Sequence, residues 1–218
     1  VEPENQGVQQ ADEFEVEGFV TQVLGPGDFY IGSMRVHTTS STDFRGGTIE
    51  EIIVGAKLSA EGRLANGIVT AKHVKFHEGV RLEGNIASIN TGTGTITITG
   101  LPGVTVTVDS QTEVKTDNGT SLNDLSVGEH VRVRGRLNGT TGMVATRVEQ
   151  RSSNDDVEVQ GPVQVVSNPN LTILGISLDT SGIADDEFKG LSDQPIGRAA
   201  FFKAVQVSTL VKMKGRIV

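Results

Sequence analysis

Short stretches in which apolar and polar residues alternate recur along this chain, separated by glycine- and threonine-rich turns. The clearest is Thr95-Ile96-Thr97-Ile98-Thr99, where strict alternation predicts a half-buried strand. Around it the pattern predicts a first strand over Val80–Asn90, then a turn at Thr91-Gly92-Thr93-Gly94. After Leu101-Pro102-Gly103 it predicts another strand over Val104–Val108. Leu122-Asn123-Asp124-Leu125 is too short for a stable helix and reads as a single turn. Val131-Arg132-Val133 forms a fourth strand, and Met143–Gln150 a fifth. Asp117-Asn118-Gly119 has the composition of a type I′ hairpin turn. Five strands with a helical turn between the third and fourth is the plan of an OB-like barrel.

The same skeleton occurs three times. Ile53-Val54-Gly55-Ala56-Lys57-Leu58-Ser59-Ala60-Glu61-Gly62-Arg63-Leu64 matches Ser126-Val127-Gly128-Glu129-His130-Val131-Arg132-Val133-Arg134-Gly135-Arg136-Leu137. Val16-Glu17-Gly18, Leu82-Glu83-Gly84 and Val159-Gln160-Gly161 each open a copy. Copy one predicts strands at Phe14–Leu24, Phe29–Ile31, Met34–Thr38, Lys57–Leu64 and Ile68–Phe76. The third copy aligns through Gly197 and carries Ala204 where the second glycine of the pair is expected. Its Phe201-Phe202 pair breaks the alternation and could expose a ring. Mid-strand Gly18, Gly84 and Gly161 mark where a long first strand bends to serve both halves of a barrel. Ala71 and Val74, like Ala145 and Val148, stand three apart, so either a β-bulge brings both inward or only one of each pair is buried.

The expected fold is therefore all-β, three tandem five-stranded OB-like barrels. A flexible acidic leader spans 1–13, and the repeats span 14–78, 79–151 and a divergent 156–218. Modules of roughly 65–75 residues are marginal alone and gain from packing on neighbours. The composition agrees: 27 Gly, eight Phe, one Tyr and no Trp suit a β-rich chain with few large core aromatics. Absence of cysteine excludes a disulfide framework, thiol chemistry and Cys-ligated metal. No apolar run approaches the ~20 residues of a membrane-spanning helix.

A glycine in strand one, Thr-x-[Phe/Val], Leu-x-x-Gly-x-x-Val-x-Val-x-Gly and a closing Ala-x-x-Val together resemble an uncharacterised repeat family of exported bacterial proteins. Residues 80–150 carry the pattern throughout, at Gly84, Thr112, Val114, Leu125, Gly128, Val131, Val133, Gly135, Ala145 and Val148. Residues 14–76 carry it nearly as well, and 156–218 only in part. The resemblance implies an OB-like fold, tandem copies and export to the periplasm or cell surface. It allows for a removed signal or lipid anchor ahead of residue 1. It brings no activity and no catalytic residues, because its motif positions specify backbone.

Candidate chemistry is sparse. His73 and His77 would stand about 13 Å apart along a strand, too far to share a metal. Glu50-Glu51, Asp155-Asp156 and Asp185-Asp186-Glu187 lack the fixed spacing of a calcium loop. Neither a Gly-x-Ser-x-Gly elbow nor a phosphate-cradling loop occurs. We expect no enzyme, no cofactor and no bound metal, but an exported binding or spacer protein. Its partner would be a protein or a cell-envelope glycan. The alternative is single-stranded nucleic acid or an oligosaccharide on an OB-like face. For nucleic acid the best patch is Arg132, Arg134, Arg136 and Arg147, whose spacing is equally that of a solvated strand face. A net charge of −8 and the lack of stacking aromatics argue against nucleic acid. Acids crowd the first seventeen residues and bases the last twenty-one, which raises a head-to-tail contact between chains. Exposed charge pairs are weak and salt-screened, so the expectation is a monomer.

Overall fold

The computed structural model describes residues 10–216. They form an almost entirely β structure with one short α-helix. The chain divides into two compact units, one ending at Glu78 and the other beginning at Gly79.

In the first unit, β1 (Gln10–Gly25), β2 (Asp28–Ile31), β3 (Met34–Arg45), β4 (Lys57–Ala65) and β5 (Ile68–Phe76) close into a barrel. Its strand order is β1-β2-β3-β5-β4. β1 pairs with β4 through Phe19 and with β2 from Val20 onward, so the strand changes partner beside Gly18. Gly18 also leaves room for Ile31, whose Cγ2 would stand 3.1 Å from an added Cβ. The core of Val20, Phe29, Val36, Leu58, Val69 and Val74 is fully buried. β1 begins earlier than the pattern indicated: Gln10 and Ala11 pair with Ala65 and Leu64, so residues 10–13 are not a free leader. The rest of that leader lies outside the described residues.

The second unit repeats the plan with β6 (Val80–Asn90), β7 (Thr95–Ile98), β8 (Thr105–Thr107), β9 (Glu113–Lys115), β10 (His130–Asn138) and β11 (Gly142–Gln150). The order β10-β11-β8-β7-β6 returns on itself because β10 also pairs with β6. β6 passes from β10 to β7 between Asn85 and Ile86, again beside a glycine, Gly84. A Cβ on Gly84 would meet Ile98 Cγ2 at 2.7 Å.

The bulge is present in both copies. Glu61 faces His73 while Gly62 faces Ala71, and Arg134 faces Arg147 while Gly135 faces Ala145. Ala71, Val74, Ala145 and Val148 are all buried as a result. The bulged strand presses on its neighbour: a Cβ on Gly62 or Gly135 would collide with Thr70 O or Val144 O. Asp117-Asn118-Gly119 is not a type I′ hairpin turn, since neither Asn118 nor Gly119 has positive φ. The Thr116 side chain accepts the Asn118 and Gly119 N–H groups and ties that loop instead.

The third copy overturns the expectation of three barrels. β12 (Asp156–Pro162) pairs directly with β6, and β16 (Leu210–Arg216) continues the same sheet beyond it. β13 (Val165–Ser167), β14 (Asn170–Ile173) and β15 (Ile176–Asp179) form a separate three-stranded sheet. The segment aligned through Gly197 and Ala204 is not a strand but a helix, α1 (Arg198–Ala204). Its Arg, Ala and Lys residues favour helix and none is β-branched. The counterpart of the fourth strand is β16, where Gly161 faces Val211 as Gly18 faces Leu58 and Gly84 faces Val131. Gly215 then stands four residues on, as Gly62 and Gly135 do. Among the described residues, no strand fills the fifth place between β15 and β16. A groove of about 180 Å³ lies there, lined in part by Val159, Leu178 and Met213. Phe201 and Phe202 are half-buried against Phe188, with ring centroids 5.3 and 6.3 Å away, so neither ring is a free docking surface.

Candidate functional site

Residues directly opposite one another on paired strands share a face of the sheet. That rule assembles the arginines of the middle copy into something larger than a single strand face. Starting from β9, one row runs Glu113, Arg147, Arg134, Arg81, Gln160, Lys212. Beside it runs Lys115, Glu149, Arg132, Glu83, Glu158, Lys214. Adjacent strands are about 4.8 Å apart, so Arg147 to Lys212 spans roughly 19 Å.

The second row neutralises itself. Arg132 Nε donates to Glu83 Oε2 at 2.8 Å, and Arg81 reaches the same oxygen at 3.2 Å. Arg81 Nε also stands 3.1 Å from Glu158 Oε1, and Lys214 Nζ lies 3.0 Å from Glu158 Oε2. Burial acts to raise the Glu83 pKa, but the guanidinium groups of Arg132 and Arg81 outweigh it and hold the carboxyl at about 2. His130 closes the inner end, fully buried, with Nδ1 2.8 Å from Asn85 Oδ1 and Nε2 3.6 Å from Glu83 Oε1. This interlocked group binds β10, β6, β12 and β16 together.

The first row is differently balanced. Arg147 is engaged by Glu113 at 3.3 Å and Glu149 at 3.1 Å. The Lys115 ammonium hydrogen-bonds Glu113 and, with Arg147 adding attraction, holds its carboxyl below the ordinary range. Among the described residues, no carboxylate pairs with Arg134 or Lys212. The face therefore carries two uncompensated cations in a row that also contains Arg81 and Arg147. Of the residues singled out from sequence, Arg132, Arg134 and Arg147 lie on it together, and Arg136 faces Val144 one step along β10. Arg81, Lys212 and Lys214 were missed because they join only through the β10–β6–β12–β16 pairings. The opening and final strands of the copies were legible; their lateral union was not.

The histidines take separate partners: His73 Nδ1 lies 3.4 Å from Asp43 Oδ2, and His77 Nε2 lies 2.9 Å from Ser59 Oγ. Among the described residues, no group of three His, Cys, Asp or Glu side chains is placed to hold a metal. Nor, among them, is any helix long and apolar enough to cross a membrane.

The family model described as Domain of unknown function (DUF5666) matches residues 17–75 and again 83–149. Those two matches coincide with copies one and two. No curated protein and no solved structure matches the chain.

Proposed function

Since the chain belongs to the family described as Domain of unknown function (DUF5666), we propose its function from its geometry: a non-catalytic docking or spacer protein, built of OB-like barrels and exported to the periplasm or cell surface. The observation that carries this reading is the β12–β6 pairing. It joins copies two and three through backbone hydrogen bonds and spreads one charged face over both. A sheet that carries one charged face across two copies suits docking, whereas catalysis calls for convergent groups in a cleft. A polar hollow of about 420 Å³ lined by Asp117, Gln150, Arg151, Ser152 and Asn154 offers no pair of carboxylates for acid–base work.

The OB-like assignment rests on the order β1-β2-β3-β5-β4 with its parallel β3–β5 pairing. A helix between the third and fourth strands of copy three agrees with it. Export rests on the resemblance to exported repeat proteins. Nucleic acid fits the face less well, because its rows offer phosphate-binding cations but no ring on which a base could stack.

The test is retention of the full chain on a sulfated-polysaccharide resin at low salt. A protein of net charge −8 should be repelled unless a local basic face binds. We expect retention that is lost with Arg134→Gln and Lys212→Gln together. Flow-through of the unaltered chain, or turnover of ester, phosphate or glycoside substrates by it, would overturn the reading.

A further inference from the structure

The two repeats that share a backbone carry opposite charge at equivalent places. In the first unit the row corresponding to Glu113, Arg147, Arg134 and Arg81 is Asp43, His73, Glu61 and Glu15. Glu61 thus stands where copy two has Arg134, and Glu15 where it has Arg81. Glu15 faces Glu61 directly, a like-charge pair that costs stability unless something compensates it. Both are exposed, and among the described residues neither has a cationic partner. On the matching row of the other unit, Arg134 and Lys212 have no carboxylate partner among the described residues.

We propose that the acidic row of the first unit in one chain docks on the basic row of the second unit in another copy of the same chain. This rests on the reading of the charged face as a docking surface and names its occupant. Both rows are built by the same strand register, so their charges recur at the same inter-strand spacing of about 4.8 Å. A Glu–Glu pair laid on this row brings a carboxylate onto Arg134, while Arg81 beside it stays with Glu83 and Glu158 and Lys212 adds attraction at the outer end of the row. Acid and base lie on different units, so the contact is heterologous. It leaves a free acidic row on one chain and a free basic row on the other, and chains can add in series. Glu15 comes from β1 and Lys212 from β16, so the two rows draw on different units of the chain. Because the groups are solvent-accessible, association is weak and salt-dependent.

Sedimentation of the full chain tests this. At low salt the average mass should rise with concentration, and 0.5 M salt should return it to the monomer. Two neutralised proteins then separate contact between chains from any other cause. Glu15→Gln with Glu61→Gln removes the acidic row, and Arg134→Gln with Lys212→Gln removes the basic one. Each alone should sediment as a monomer, with an unchanged circular dichroism spectrum. Mixed in equal amounts, they retain one intact row each and should form a one-to-one dimer that grows no further. A monomeric unaltered chain at low salt, or a mixture that stays monomeric, overturns the proposal. If the resin still retains the unaltered chain through Arg134 and Lys212 in that case, the face docks something other than this chain. If those substitutions also leave retention unchanged, the docking reading falls with it.

Discussion

At the scale of single residues, Glu83 couples the charge network to pH. Its carboxyl sits at about 2, against an ordinary value of 4.5. A carboxylate depressed on folding stabilises the folded state above its unfolded pKa, and that contribution disappears as pH falls through the folded value. The window is therefore roughly pH 4.5 down to 2, and the contribution at neutral pH is at most about 3 kcal/mol. Thermal unfolding followed across that range should show the second unit losing stability, and Glu83→Gln should flatten the dependence while lowering stability at pH 7. A slope that survives Glu83→Gln would assign it to another group. The glycines make a second residue-scale case. Gly135 lies against the backbone of the bulged strand, which cannot move aside, so Gly135→Ala should cost about 1–3 kcal/mol in denaturant unfolding. Gly84 meets a side chain instead, Ile98 through its Cγ2, so Ile98→Ala, which removes that methyl, should cost less in the Gly84→Ala background than in the unaltered chain. Strict additivity of those two changes would refute the contact.

At the scale of elements, α1 shows how local preference overrides a repeat. The Gly197 and Ala204 frame suggested a strand, yet the run from Arg198 to Ala204 contains good helix formers and folds back onto Phe188. Arg198 anchors it: one guanidinium donates to Thr180 Oγ1 at 2.9 Å, Thr180 O at 2.7 Å and Ile183 O at 2.9 Å. The same group lies 4.6 Å from the centre of the Phe188 ring. Lysine carries a point charge and cannot reproduce that fork. Arg198→Lys should therefore lose stability nearly as far as Arg198→Ala, about 2 kcal/mol by equilibrium unfolding. Full rescue by lysine would mean that charge alone matters there. The β5 and β11 bulges illustrate the opposite case, in which spacing in the sequence does report geometry. Two small apolar residues three apart in a strand both reach the core only when an extra residue intervenes.

At the scale of the whole molecule, β12 lies against β6 and makes copies two and three one unit. Val159 is buried at that seam, facing Leu82. Val159→Ala should therefore raise hydrogen exchange in β6 as well as in β12 and β16, because the strands share one ladder. Faster exchange confined to residues 156–216 would show that the copies open separately.

Much of this architecture can be read from the residues alone. Alternation, turn glycines and the repeated Gly-x-x-Val-x-Val-x-Gly pattern place nearly every strand of the first two copies, because strand burial and turn chemistry are local properties of the chain. Lateral neighbours are not local. The sequence shows Arg132, Arg134 and Arg147 as polar positions on strands, but which charge lies beside which depends on register between segments far apart in the chain. Arg81 joins Arg134, and Glu83 meets Arg132 and Glu158, only because β6 pairs with β10 on one side and β12 on the other. The missing closure of the third copy was hidden for the same reason, since a closed barrel is defined by pairings rather than by any one strand. The sequence thus determined the strands and their facing residues, while tertiary pairing alone decided the barrel count and the charged face, through backbone hydrogen bonds that no local pattern encodes.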